Sequence, residues 1–202
     1  MAWSFGFFVA LAVTPAFATT ILVLGDSLSA GYGIRAEEAW PKLLERRLLT
    51  DKIYASRKMA VVNASISGET TAGGRTRLPA LIERHKPAIV ILELGANDGL
   101  RGLSLAAMKD NLSAMMQTTK KSGAATVLIG MRLPPNYGRY ADDFNISFPV
   151  LAKQAQTPFV PFLLEHLADK PERFQADGLH PTEEAQALLL DNVWPTLQAL
   201  IR

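Results

Sequence analysis

The sequence of 202 residues contains no cysteine, which excludes disulfide-stapled scaffolds, thiolate zinc sites and cysteine nucleophiles. It also carries little excess charge: 21 basic and 19 acidic residues leave a net charge of +2, so no nucleic-acid partner is expected. The G-x-x-x-x-G-K-[ST] P-loop and the G-x-S-x-G elbow are both missing. Any functional site must therefore be built from other motifs.

Long hydrophobic runs are absent too. The most apolar stretch, residues 3–13, is shorter than the about 20 residues that a membrane-spanning helix needs. It has the length of a signal-peptide core, and Pro15 follows it ahead of an A-x-A cleavage motif that ends at Ala18. We predict a signal peptide over 1–18 although no lysine or arginine precedes it; a buried N-terminal helix is the alternative. The mature protein would be periplasmic or secreted, with no stable membrane anchor.

Residues 19–202 are few enough for a single domain, and strand-like apolar runs alternate in them with amphipathic helical patterns. The predicted strands are 20–24, 61–64, 88–94, 125–131 and 158–162, the last an edge strand because it holds two prolines. The predicted helices are 38–49, 78–84, 105–121, 141–156 and 182–201. The apolar runs are typical of strands buried on both faces, so the pattern predicts an α/β three-layer sandwich around a parallel sheet.

Four polar motifs stand at the ends of these elements. The motifs GDSLS, SISGETT and GANDG follow the first three predicted strands, and DGLHP precedes the last predicted helix. Open parallel sheets bind ligands beyond the carboxyl ends of their strands, so we expect the motifs to meet there. Each motif alone is also explained as a turn or a helix cap; their joint placement indicates a site.

These motifs supply the groups that acyl transfer needs. Ser27 can attack as the nucleophile, His180 can accept its proton, and Asp177 can orient the imidazole. The backbone N–H groups of Ser27 and Gly68 and the side-chain amide of Asn97 can donate to an oxyanion. We predict a Ser27-His180-Asp177 triad with this oxyanion hole. A structural explanation exists for two of these residues: Asp177 could instead cap the last helix, and Asn97 could instead form a turn.

The blocks GDSLSAGYG, VVNASISGET, LELGANDGLRG and DGLHPT resemble, in order and spacing, those of the SGNH (GDSL) hydrolase family, in particular its bacterial thioesterase, lysophospholipase and protease members. The resemblance implies a flavodoxin-like α/β/α sandwich with a five-stranded parallel sheet. The implied signature residues are Ser27, Gly68, Asn97 and His180, with Asp177 completing the triad. It also implies hydrolysis of fatty acyl-CoA, lysophospholipid and aryl esters through an acyl-enzyme, without a cofactor. The chain departs at Glu69, where close relatives often have aspartate.

Two loops at the same edge of the sheet are predicted to hold an apolar acyl group. A glycine-flanked segment carries Leu100 and Leu103, and the loop after the fourth strand carries Pro134 and Tyr137. Leucines in a solvent-facing loop are poorly explained unless they cover something apolar, and the glycines would let that loop move. The alternative is that the leucines pack under the loop as core.

Other interpretations are weaker. The G-x-G-x-x-A pattern over 31–36 resembles a dinucleotide-binding loop, but it begins well past the end of the first strand. His85 and His166 lie in charged stretches, so no metal site is expected. Among hydrolases the alternative is a carbohydrate O-acetylesterase, and among non-enzymes it is an exported binding module. A monomer is expected for a chain of this size.

Overall fold

The computed structural model describes residues 19–201. The predicted signal peptide 1–18, with its cut after Ala18, lies outside the described residues. Between residues 19 and 201, no helix combines the length and the apolar character needed to cross a membrane.

The described chain folds around one five-stranded sheet in which all neighbouring strands are parallel. The strands are β1 (Thr20–Gly25), β2 (Ala60–Asn63), β3 (Ile89–Glu93), β4 (Ala125–Ile129) and β5 (Phe159–Val160). Nearly every residue of β1, β3 and β4 is buried, as the continuous apolar runs predicted. The predicted edge strand is also present, reduced to two residues between Pro158 and Pro161.

Helices connect the strands, and the predicted helix over 105–121 is reproduced to the residue. The helices are α1 (Ser27–Ala30), α2 (Trp40–Thr50), α3 (Thr71–His85), α4 (Ala96–Leu100), α5 (Leu105–Lys121), α6 (Arg139–Ala155) and α7 (Gln186–Leu200). The hydroxyl of Ser104 caps α5 by accepting a bond from the N–H of Ala107. The methionines on the inner face of α5, such as Met108 and Met115, are buried.

Two predicted helix starts are wrong by four or more residues, whereas the other helix boundaries agree within two residues. Helix α3 begins at Thr71 rather than at 78, because Thr70 caps a first turn whose small residues carry no apolar period. Gly74 lets that turn approach the sheet, since a Cβ there would lie 2.3 Å from the Leu94 side chain. Helix α7 begins at Gln186 rather than at 182, because the N–H of Thr182 is bonded to the carbonyl of Arg173 in an extended segment.

The strand order β2-β1-β3-β4-β5 is that of a flavodoxin-like sheet. Helix α2 packs against α7, and α5 packs against both α3 and α6, which gives two helical layers around the sheet. The predicted α/β/α sandwich is therefore confirmed. Its strand order reverses between β1 and β3, and a ligand site is expected at the carboxyl ends of these two strands.

Candidate active site

Strands β1 and β3 end side by side, with Gly25 in register with Glu93. Each strand is followed at once by a very short helix, α1 after β1 and α4 after β3. The two helices start at the carboxyl edge of the sheet, so the residues that open them lie at the expected ligand site. Three of the predicted site residues, Ser27, Asn97 and Leu100, are in these helices.

Ser27 is the first residue of α1, and it is half-buried. Asp26 caps this helix, with its carboxylate 3.0 Å from the N–H of Leu28. This cap turns the chain directly from strand into helix, so Ser27 belongs to a helix rather than to the turn by which the GDSLS motif alone could be explained. As the first helical residue, Ser27 has a backbone N–H with no acceptor inside the helix.

The histidine and aspartate of the predicted triad lie against Ser27. His180 Nε2 is 2.9 Å from Ser27 Oγ, and His180 Nδ1 is 2.6 Å from Asp177 Oδ2. The other Asp177 oxygen accepts bonds from the backbone N–H groups of His180 and Leu179. These bonds, the backbone bond from His180 above all, lower the pKa of the Asp177 carboxyl to about 2. Asp177 is therefore an ionised partner of His180 and does not cap α7.

Two side chains that were not predicted hold the other side of His180. The Tyr32 ring lies 4.4 Å from the imidazole, centroid to centroid. The Gln175 amide donates to the carbonyls of Tyr32 and Pro181, which joins the Tyr32 turn to the histidine loop. Gly33 has a φ of +72°, and a Cβ there would lie 2.1 Å from the Gln175 side chain. Gly33, the second glycine of the pattern over 31–36, is thus required for this contact, and no sequence periodicity indicated it.

Gly68 lies in the loop between β2 and α3, where it is exposed with a φ of +79°. This left-handed conformation favours glycine. Its N–H has no hydrogen-bond acceptor among residues 19–201, which leaves it free to bind a substrate oxygen. Glu69, the departure from the family pattern, forms an ion pair with Arg77. Burial raises the pKa of the Glu69 carboxyl, and Arg77 opposes that shift.

Asn97 joins three of the predicted motifs. Its Nδ2 lies 3.1 Å from the carbonyl oxygen of Glu69 and 3.2 Å from Asp26 Oδ2. Both amide hydrogens therefore have an acceptor within the protein, and a substrate oxygen bound there would share or displace one of these contacts. Burial raises the pKa of the Asp26 carboxyl to about 6, while the N–H of Leu28 and the charge of His180 oppose the rise.

A buried carboxyl group lies beneath the nucleophile helix. Glu93, at the end of β3, is fully buried, and its Oε2 accepts bonds from Ser29 Oγ at 2.7 Å and from the N–H of Asp26 at 3.2 Å. Burial, together with the Asp26 carboxyl, raises the pKa of Glu93 well above its usual range. Gly25 has room for no side chain, since a Cβ would lie 2.5 Å from Glu93 Oε2. Glu93 was not predicted as part of the site; the one feature of the sequence that could have indicated it is that it is the only acid in an otherwise apolar strand.

The four predicted acyl-binding residues lie on two neighbouring segments. Leu100 is 38% exposed and Leu103 is 43% exposed, so the alternative that these leucines belong to the core is wrong. Tyr137 donates a bond to the carbonyl of Leu100, and Pro134 is exposed on the same loop. Gly99 is required for packing rather than for movement, since a Cβ there would lie 2.6 Å from Phe144.

No group of three or more histidine, aspartate or glutamate side chains within 19–201 is arranged to hold a metal ion. His85 ends α3, and His166 is an exposed residue in a turn. The polar groups that converge at the carboxyl edge are instead those of an acyl-transfer site: a hydroxyl, an imidazole, a carboxylate and N–H donors.

Comparison with known proteins identifies the family. The model of the GDSL-like Lipase/Acylhydrolase family matches residues 23–188. Esterase TesA of Pseudomonas aeruginosa is 48% identical over 192 residues, which covers 95% of this chain and 94% of that protein. Thioesterase 1/protease 1/lysophospholipase L1 of Escherichia coli K12 is 44% identical over 198 residues, covering 98% and 92%. A crystal structure of TesA, 49% identical, has a TM-score of 0.85 and covers 90% of this chain and 99% of that one. The chain therefore belongs to the GDSL-like lipase/acylhydrolase family, which confirms the resemblance to the SGNH hydrolases.

Proposed function

We propose that this protein is a serine esterase and thioesterase that hydrolyses acyl esters and thioesters through an acyl-enzyme. The observation that carries the proposal is the pair of contacts that joins Ser27 Oγ to His180 Nε2, at 2.9 Å, and His180 Nδ1 to Asp177 Oδ2, at 2.6 Å. A serine, a histidine and a carboxylate in this order recur in serine hydrolases of unrelated folds, where they activate the serine hydroxyl.

Acylation begins when Ser27 Oγ bonds to the carbonyl carbon of the substrate while its proton passes to His180 Nε2. The carbonyl oxygen becomes an oxyanion, which accepts bonds from the N–H groups of Ser27 and Gly68 and from the amide of Asn97. His180 then protonates the leaving alcohol or thiol as its bond to carbon breaks. Water attacks the acyl-serine by the same route, and the free acid and the serine hydroxyl are released.

Asp177 acts on His180 rather than on the substrate. Its carboxylate bonds to Nδ1, so Nε2 is the nitrogen that faces Ser27. The pKa of Asp177 is lowered to about 2, so the carboxylate stays ionised and stabilises the imidazolium that each step creates.

The acyl group of the substrate is apolar in this proposal. The exposed side chains of Leu100 and Leu103 support it, because they lie on α4 and on the turn that follows it, directly after Asn97. The relatives are named an esterase and a thioesterase/lysophospholipase. Fatty acyl thioesters, lysophospholipids and aryl esters of fatty acids are the substrates that fit best.

We also propose that the protein is exported, that its signal peptide is cleaved behind Ala18, and that the mature chain is a monomer. The support is the uncharged, apolar stretch that precedes the A-x-A motif. The described domain begins with β1 at Thr20, so cleavage there leaves its first strand whole. Sequencing the N-terminus of the exported protein tests the cut, and Thr19 is the expected first residue.

A series of p-nitrophenyl esters from acetyl to palmitoyl, run beside acyl-CoA and lysophospholipid, tests the substrate class. We expect kcat/KM to rise with chain length up to about C8–C12, since each buried CH₂ contributes up to about 0.8 kcal/mol, or roughly fourfold. A preference for acetyl over octanoyl esters would instead favour the carbohydrate O-acetylesterase. If the protein hydrolysed none of these substrates, the result would favour the alternative that it is a non-catalytic binding module.

A further inference from the structure

Arg101 is exposed at the end of α4, and its guanidinium reaches back over the proposed oxyanion hole. The same nitrogen, Nη2, lies 3.0 Å from the carbonyl oxygen of Gly68 and 3.4 Å from Asn97 Oδ1. Gly68 and Asn97 belong to different loops, 29 residues apart in sequence (97 − 68). One nitrogen of Arg101 therefore connects the two residues that supply two of the three oxyanion donors.

This contact determines which way the Asn97 amide points. A guanidinium has donors only, so the atom of the amide that faces it must be the oxygen. The NH₂ group is then directed to the opposite side, toward the Glu69 carbonyl and the Asp26 carboxylate, which are both acceptors. The reversed amide would set its NH₂ against the guanidinium and its oxygen against two other oxygens. Arg101 thus favours the one orientation in which Asn97 can donate at the site.

The charge of Arg101 adds to this effect. Within residues 19–201, no carboxylate lies within salt-bridge distance of its guanidinium. An unpaired positive charge therefore lies beside the groups that would bind the oxyanion. This positive charge attracts the amide oxygen of Asn97 and repels its NH₂ group, so it strengthens the preference for the orientation described above.

We propose that Arg101 is a positioning residue that holds Gly68 and Asn97 together as one oxyanion-binding unit. The proposal rests on the proposed serine esterase function. It differs from a role in binding the leaving group, in which Arg101 would contact the phosphate of acyl-CoA or lysophospholipid. The two roles predict different changes in kcat and KM.

The test uses p-nitrophenyl butyrate, which carries no charge for Arg101 to bind. For Arg101→Met we expect kcat to fall by about tenfold, less than the about 10²–10³ for loss of a direct donor, with KM changed by less than about twofold. Arg101→Lys should recover part of kcat, because both contacts come from a single nitrogen that an ammonium can replace. Arg75→Met is the matched control: this exposed arginine also bonds to an asparagine Oδ1, that of Asn111, at 3.1 Å.

A double-mutant cycle with Asn97→Ala decides whether Arg101 acts through Asn97. If it does, Arg101→Met should lower kcat by less than about threefold in the Asn97→Ala background, because the amide that it orients is gone. An equal loss in both backgrounds would overturn the proposal. So would an unchanged kcat on the neutral ester with a raised KM for acyl-CoA, the result expected of a leaving-group contact.

The outcomes also separate this proposal from the proposed function. A wild-type protein that hydrolyses no ester would overturn the esterase function and, with it, the role of Arg101. An active wild type beside an equally active Arg101→Met variant would overturn the role of Arg101 alone. Thermal melts of all variants exclude unfolding as the cause of any loss.

Discussion

Ser27 and His180 are 153 residues apart in sequence, and their 2.9 Å contact depends on the residues that hold each of them. Asp26 caps the helix that Ser27 opens, and Asp177 fixes the imidazole of His180 through the side chain and the backbone. Tyr32 covers the imidazole from another side. The proposed proton transfer thus relies on a geometry that is set before substrate binds.

The proposed triad predicts a graded loss of activity. Ser27→Ala and His180→Ala should each lower turnover by about 10⁴–10⁶, and by similar factors, because the two side chains act as one unit. Asp177→Ala should cost less, since Asp177 only orients and stabilises His180. Initial rates on p-nitrophenyl butyrate, with circular dichroism to verify folding, measure these effects.

An organophosphate that labels serine provides the control for this prediction. It should label the wild type at Ser27 and leave Ser27→Ala unlabelled. Labelling at Ser29 would contradict the assignment, and so would a near-native rate in His180→Ala. Ser29 is close to Ser27 in sequence, and we expect it to stay unlabelled because its hydroxyl is buried and lies 2.7 Å from Glu93 Oε2.

The sequence was sufficient to predict the residues that meet at the site, but not the residues whose contacts keep them in position. Ser27, Asn97 and His180 stand out because their motifs follow strands or precede a helix, and the structure brings them together. The roles of Arg101 and Gln175 were missed because the contacts of Arg101 with Gly68 and of Gln175 with Tyr32 join residues 33 and 143 positions apart in sequence. Arg101 lies within the third family block, but nothing in that block indicates which residue it contacts. The importance of both residues arises from contacts that only the folded chain creates.

Helix periodicity explains which elements could be predicted. Helices such as α5, with 17 residues, repeat their apolar face several times, so their positions are clear from the sequence. Helices α1 and α4, with 4 and 5 residues, complete about one turn and show no period, so they were interpreted as turns. These two short helices carry Ser27 and Asn97, and the site is therefore where the local prediction was weakest.

The turn after α4 leads to a prediction about acyl length. It is tied to α6 by the Tyr140 hydroxyl, 2.6 Å from the carbonyl of Leu103, while the Leu103 side chain remains exposed. Leu103→Asp should flatten the rise of kcat/KM with chain length and leave acetyl ester hydrolysis nearly unchanged, because a carboxylate disfavours an apolar chain beside it. The ratio of octanoyl to acetyl kcat/KM measures the effect.

Leu49→Asp is the matched control for this substitution, since Leu49 is 57% exposed near the end of α2, in another part of the chain. It should leave the chain-length profile unchanged. An unchanged octanoyl-to-acetyl ratio in Leu103→Asp would remove Leu103 from the acyl-binding surface. An equal change of this ratio in Leu49→Asp would show that the effect comes from the added negative charge and not from the position of Leu103.

The stability of the whole domain should depend on the buried acids beneath the site. Asp26 and Glu93 are both almost fully buried, and burial raises the pKa of each carboxyl. The Asp26 carboxyl raises the pKa of Glu93 further, and the Asp98 carboxyl does the same for Asp26. His180 and Asn97 face the Asp26 carboxyl as well and favour its ionised form. Burying these acids lowers the free energy of unfolding of the domain, while their hydrogen bonds hold the helix that carries Ser27 in place.

Asp26→Asn tests this cost through its pH dependence. The folded protein raises the pKa of Asp26 from 3.8 to about 6, so the native state holds this proton more tightly than the unfolded chain does. Stability from this group is then greatest below about pH 4 and falls as the pH rises to about 6. The asparagine side chain does not titrate. Relative to wild type, the variant should therefore gain unfolding free energy between pH 4 and pH 7, on the order of 3 kcal/mol for a shift of about two units.

Urea denaturation at a series of pH values measures this difference. The variant also loses a carboxylate oxygen that accepts from Asn97 or Leu28. In the wild type these bonds already contribute to the pKa of Asp26, so the slope of the difference with pH still reports that pKa. Asp51→Asn is the matched control, because Asp51 accepts a bond from the N–H of Ile53, two residues on, as Asp26 does from Leu28. An equal slope in the control would attribute the effect of Asp26→Asn to the loss of a carboxylate in general. A flat difference for Asp26→Asn would mean that Asp26 has the same pKa in the folded and unfolded chain.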